Sequence, residues 1–169
     1  MKIIEAMKQI KALNLKVSDL RQKIQEHAAD LSHETPKYSD QRAQVDAWTQ
    51  AAEACVMEIS NLKTRIQKTN LAITVPITLG GETITKTIAE WVHRRHGLTE
   101  LHESIWRSQG DRNLKEGVLT QSNGEKIDVK IRRHYSPELR DKKLAVLREE
   151  PFVIDSTLEV VNATTDLLN

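Results

Sequence analysis

Apolar residues recur along the first part of the chain in alternating steps of three and four. Ile3, Ala6, Ile10, Leu13, Val17, Leu20, Ile24, His27 and Leu31 follow this rhythm without a break, and Val45, Trp48, Ala52, Cys55, Ile59, Leu62, Ile66 and Thr69 repeat it. A repeat of about 3.5 residues holds a narrow apolar stripe on one side of an α-helix, the a/d pattern of a coiled-coil seam. The pattern predicts two helices, over residues 3–31 and 45–69, each of which must cover its stripe. The polar link between them contains Pro36, which disfavours helix through Thr35 and lets the chain double back as an antiparallel hairpin. Asp40 is placed to cap the second helix. Ile10, Val17, Leu20 and Ile24, with Trp48, Ile59, Leu62 and Ile66, form the expected packing seam, and stripe surface left over is the expected site of self-association.

The texture changes at residues 71–85, where β-branched residues replace the helical repeat. Gly80-Gly81 between Ile77–Leu79 and Thr83–Ile84 reads as a two-residue hairpin turn, with Pro76 confining the first strand to an edge or bulge. A third helix is expected from about Thr85–Thr87 to Arg107, with Ile88, Trp91, Leu98, Leu101 and Ile105 inward and Gly97 as a weak point. A second hairpin is expected around Asn123-Gly124, its later strand alternating so strictly that one face should be covered. Ser136-Pro137-Glu138 opens a last helix striped by Leu144, Leu147, Ile154, Leu158, Val161, Thr165 and Leu168, with Pro151 on the stripe to kink or divide it. The expected fold is mainly α and a single domain over residues 1–169. It comprises an antiparallel coiled-coil helical hairpin (1–70), a hairpin–helix–hairpin segment (71–135) and a C-terminal helix (136–169).

Composition supports long helices with wet outer faces: 38% of the 169 residues are hydrophobic, only 4% aromatic, and 29% charged. The net charge of +1 provides no overall field to hold nucleic acid or an anionic membrane. Its distribution is uneven, since Glu125–Arg148 carries eight Lys or Arg against four Asp or Glu, and residues 149–169 carry five acids and no Lys or Arg. These segments could pair head to tail between subunits or stand as solvated faces. Cys55, the only cysteine, falls on the seam and reads as a small buried hydrophobe, consistent with a reducing compartment. The chain shows neither a signal-peptide pattern nor a run approaching about 18 apolar residues. The expectation is a soluble cytoplasmic protein, or a virion component if phage-encoded.

Candidate chemistry is sparse. Glu90 and His93 have the Glu-x-x-His spacing of carboxylate-bridged di-iron bundles, but no second copy occurs. Glu100, His102 and Glu103 do not converge on a helix, and His27 reads as a partly exposed helix-end residue. Gly80-Gly81 lacks the spacing and Lys-Ser/Thr of a phosphate loop, and no Gly-x-Ser-x-Gly elbow is present. No catalytic residue, metal site or cofactor is therefore expected. The leading expectation is a non-enzymatic structural or assembly protein that forms a homo-oligomer, alone or with other structural subunits. The alternative is a nucleic-acid-binding module using Arg94, Arg95, Arg132, Arg133, Lys142 and Lys143, with Lys130 and Arg140, as a basic stripe near Trp106 and Tyr135.

The opening Met1-Lys2-Ile3-Ile4-Glu5-Ala6, the run Arg65 to Asn70, Gly81 to Thr85 leading into Ile88-Ala89, and Asn162 with Asp166-Leu167-Leu168 occur in an order that resembles the septicolysin-like family of bacterial and phage-associated proteins. The resemblance covers nearly the full length. It implies a helical hairpin packed with further helices and a small β element, assembling as a homo-oligomer, with no catalytic residues to carry over; within the assembly expectation, a phage-encoded version would be a virion accessory or capsid-associated subunit. Ala163 stands where the family has a tryptophan, and the Asn123-Gly124 hairpin is longer than the family's.

Overall fold

The computed structural model describes all of residues 1–169 and is mainly helical, with two small antiparallel strand pairs. It contains two compact units, neither continuous in sequence: residues 1–74, 87–89 and 158–169 form one, and residues 75–86 and 90–157 the other.

The first unit is built on α1 (Ile3–His27) and α2 (Gln41–Ala72). The Asp40 carboxylate accepts from the Ala43 amide at 2.9 Å, the expected cap. Gln9 donates to Glu58 near one end of the pair, and Gln41 Nε2 donates to the His27 carbonyl at 3.0 Å near the other, so the helices run antiparallel. Every striped position from Ile3 to His27 and from Val45 to Thr69 is at least partly withdrawn from solvent. Ile3, Ala6, Leu20, Cys55, Leu62 and Thr69 are buried, whereas Ile10, Val17, Ile24, Trp48, Ile59 and Ile66 are only half-buried.

Leu31 departs from the expectation: α1 ends at His27 and Leu31 is exposed. A local turn competes with the helix there, in which the Glu34 amide donates to the Leu31 carbonyl at 2.8 Å and the Glu34 carboxylate accepts from the Leu31 amide at 3.0 Å. The end of the pair is closed by rings instead. His27, Tyr38 and Trp48 stand with centroids 5.5–5.6 Å apart, two of the three contacts edge-on.

The first and last residues are hydrogen-bonded to each other. The Ile3 amide donates to the Thr165 carbonyl (3.1 Å), the Leu167 amide to the Met1 carbonyl (2.9 Å), and Lys2 Nζ to both the Thr164 carbonyl and Asp166 (2.7 Å each). Fully buried Thr69 joins α2 to this clasp, its hydroxyl donating to the Arg65 carbonyl (2.8 Å) and accepting from the Leu168 amide (3.0 Å). Arg65 Nε adds a bond to the Leu168 carbonyl at 3.0 Å, and the Ile88 amide donates to the Ile73 carbonyl at 3.0 Å.

The hydrogen bond and charge of Lys2 hold the Asp166 carboxyl below its ordinary value. A carboxylate depressed by folding stabilises above its unfolded pKa, near 4, and that stabilisation is lost as pH falls through the lower folded value. The clasp should therefore loosen only in acid. Amide hydrogen exchange at Ile3 and Leu167, corrected for intrinsic rates, should lose protection below about pH 4, and Asp166→Asn should abolish that dependence.

In the second unit β1 (Thr74–Leu79) pairs with β2 (Glu82–Thr87) through the expected Gly80-Gly81 turn, both glycines at positive φ (57° and 86°). Val75, Ile77 and Leu79 are buried in strict alternation. A Cβ on Gly80 would lie 2.7 Å from Val146 Cγ2, so the turn seats on α5 (Pro137–Thr164) only because that side chain is missing.

The expected third helix is two helices, α3 (Ile88–His93) and α4 (Thr99–Arg107), joined by a wide turn at Arg94–Leu98. Gly97, at φ 133°, breaks the helical path. The break puts α4 out of phase with α3. Ile88 and Trp91 are buried as expected, but Leu98, Leu101 and Ile105 are exposed rather than inward.

The second hairpin, β3 (Gly117–Thr120) with β4 (Lys126–Val129), also departs from expectation. Asn123-Gly124 lies in a five-residue connection, in which the Gly124 amide donates to the Gln121 carbonyl and the Gln121 amide to the Glu125 carbonyl. Of its apolar residues only Val129 is partly withdrawn from solvent, and Val118, Leu119 and Ile127 are exposed. Alternation specifies which face is apolar, not that something lies on it.

Ser136 caps α5, its hydroxyl accepting from the Leu139 amide at 3.2 Å with Pro137 as the first helical residue. The helix is not divided at Pro151. A proline removes one backbone donor, and burial of Leu147, Glu150 and Ile154 around it holds the turn. The last stripe positions change place. Thr165 and Leu168 lie beyond α5, and Leu167 rather than Leu168 is buried.

Candidate functional site

The expected basic residues do not make one stripe. Arg94, Lys142 and Lys143 line one cleft of the second unit, Arg132 and Arg133 a depression beside Tyr135, and Arg95 a third hollow beside Gly97. Most of the arginines also have acid partners. Arg94 forks onto Glu150 through Nε and through Nη2 (2.6 Å), Arg95 Nε meets Asp155 at 2.7 Å, and Arg133 takes both oxygens of Asp111 at 2.9 and 2.6 Å. Arg140 bonds Asp141 (2.8 Å) and the Gln109 carbonyl (2.9 Å) and lies 5.4 Å from the Tyr135 ring centroid.

The acidic end of the chain thus pairs with Arg94 and Arg95 of the same chain. The separations of 56 and 60 residues put these contacts beyond any local sequence pattern. Arg133, then the Tyr135 hydroxyl at 2.9 Å, holds the Asp111 carboxyl below its usual range, and Arg95 does the same to Asp155. Both acids stay charged at neutral pH and cancel a neighbouring cation. Lys130, Arg132, Lys142 and Lys143 have no ion-pair partner.

Glu150 is different because its side chain is only 3% exposed, while Arg94 is 21% exposed. A carboxylate that deep requires its counter-ion, so the pair fixes α5 against the Arg94–Leu98 turn. Beside it opens a cleft of about 300 Å³. Its floor is buried Leu79, Trp91 and Leu147, with the Trp91 indole fixed by a 2.9 Å bond from Nε1 to the Val75 carbonyl. Sequence reasoning did not group the residues that line the cleft, which come from β1, the Gly80-Gly81 turn, β2, α3, the Arg94–Leu98 turn, α4 and α5.

No group of three or more His, Cys, Asp or Glu side chains is disposed to hold a metal ion, and Glu90 and His93 lie on the short α3 without further ligands of that kind. No helix is long and apolar enough to cross a membrane.

Two apolar surfaces of the second unit lack cover. On β3–β4 the cross-strand pairs Leu119–Ile127 and Gly117–Val129 share one face, while Val118 opposite Asp128 and Thr120 opposite Lys126 share the other. On α4 and the residue before it, Leu98, Leu101 and Ile105 follow helical spacing and are each at least half exposed. In comparisons with known proteins, no family model, no curated protein and no solved structure matches the chain.

Proposed function

We propose that the chain is a non-enzymatic assembly protein that associates with copies of itself, and that the bare apolar face of the β3–β4 hairpin is part of the contact. The observation that carries this reading is the exposure of the paired Leu119 and Ile127 on a two-stranded hairpin. Such a hairpin is marginal alone in water, and a covering surface would both hold it and remove apolar area from solvent.

Within this reading α1 and α2 form an antiparallel coiled-coil hairpin, supported by the withdrawal of every a/d position from Ile3 to His27 and Val45 to Thr69. A septicolysin-like ancestry is supported in the same way. Parts of three of the segments that carry the resemblance, Met1–Ile3, Arg65 with Thr69, and Asp166–Leu168, meet in the clasp, where they serve packing rather than chemistry.

Light scattering coupled to size exclusion should give a multiple of 19.3 kDa. The double variant Leu119→Asp/Ile127→Lys should return the protein to a monomer with its helical circular dichroism unchanged, since both sites are on the surface. A wild-type monomer at every concentration overturns the proposal.

A further inference from the structure

The assembly reading makes no use of the cleft beside Glu150, whose composition is that of a ligand site. Its floor and one lip are apolar, from Trp91 and Leu147 below to Leu139 and Ile84 at the edge. Its rim is cationic, with Lys86 at the end of β2 and Lys142 and Lys143 on α5. Because Arg94 neutralises Glu150 at the bottom, those three lysines face a single remaining acid, Glu82. None of the three has an ion-pair partner.

Like charges gathered at the mouth of an apolar hollow repel one another, and an anion entering there relieves that repulsion in a medium less screening than bulk water. Lysine ammonium groups are compact point charges on flexible stems, suited to an anionic head of no fixed geometry. A volume of about 300 Å³ is at the small end for ligand pockets, which sets the body to a single short apolar chain or ring.

We propose that this cleft binds a small anionic amphiphile, its apolar body seated on Trp91 and Leu147 and its head held by Lys86, Lys142 and Lys143. The glycine at position 80 belongs to the same device. It allows the β1–β2 turn to close on Val146 and so brings Lys86 to the cleft that Lys142 and Lys143 line.

Titration calorimetry with decanoate, decyl phosphate, decanol and decyltrimethylammonium, each below its micelle concentration, tests the proposal. One or both anions should bind saturably at one per chain, and the contrast between them identifies the head group. Decanol should bind at least tenfold more weakly and the cation not at all. Lys142→Ala/Lys143→Ala should weaken the anion at least tenfold, and Leu139→Trp should block it by filling the mouth. Both variants change exposed residues, so folding is retained. In amide and indole spectra the anion should shift the Trp91 indole signal. Binding that ignores head-group charge, binding unaltered in both variants, or no binding of either anion overturns the proposal.

Discussion

Replacing Trp91 with alanine should destabilise the second unit by about 3–5 kcal/mol, the range for a large aromatic removed from a closed core. Trp91 is fully buried, and its ring supports both the inner face of β1 and the floor of the cleft. Trp91→Phe separates two contributions. It keeps most of the packing but leaves the Val75 carbonyl without the indole donor now 2.9 Å away, and should cost about 1–3 kcal/mol. Urea denaturation followed by far-ultraviolet circular dichroism measures both. Equal losses for the two variants would mean that the hydrogen bond, not the ring's volume, dominates.

The second large effect concerns Arg94 and Glu150. Removing the guanidinium in Arg94→Met strands a carboxylate that is only 3% exposed, and should cost about 3 kcal/mol, the low end for a broken buried pair because Arg94 keeps some contact with water. Glu150→Met added to that background should restore much of the loss, since two apolar side chains of similar size remove both charges together. The result that counts against a structural role is a single variant as stable as the wild type in equilibrium denaturation. Truncation of the exposed Arg95–Asp155 pair, by contrast, should hardly change stability.

How far the fold can be read from the sequence depends on the range of the interaction responsible. The a/d rhythm locates α1 and α2 because a narrow stripe requires cover whatever provides it, and all but Leu31 of those positions are partly or fully withdrawn. Gly80-Gly81, Asp40 and Ser136-Pro137 are legible because turns and caps are local chemistry. Leu98, Leu101 and Ile105 mislead for the opposite reason. Their spacing is helical, but one glycine at φ 133° turns the stripe away from the core, and periodicity does not register a change of phase. The hairpin at Asn123-Gly124 shows the same limit, an apolar face on which Leu119 and Ile127 stay exposed.

The basic residues are visible in the sequence as a composition and not as a site. Arg94 and Arg95 are adjacent in the chain, yet one closes onto a buried carboxylate and the other onto an exposed one, through partners 56 and 60 residues away. Lys86 joins Lys142 and Lys143 at the cleft across a comparable separation. The glycine at position 80 is the nearest sequence clue, and by itself it signals only a turn.

The hydrogen bonds between Lys2 and Asp166, 164 positions apart, bear on how the protein is made. A ribosome releases α1 and α2 long before it has made residues 158–169, so Thr69 and Ile3 wait for that segment to emerge. Throughout that interval the end of the α1–α2 pair stands without the clasp. Completion of the first unit therefore rests on contacts of very long sequence separation, the kind that form late and slow folding.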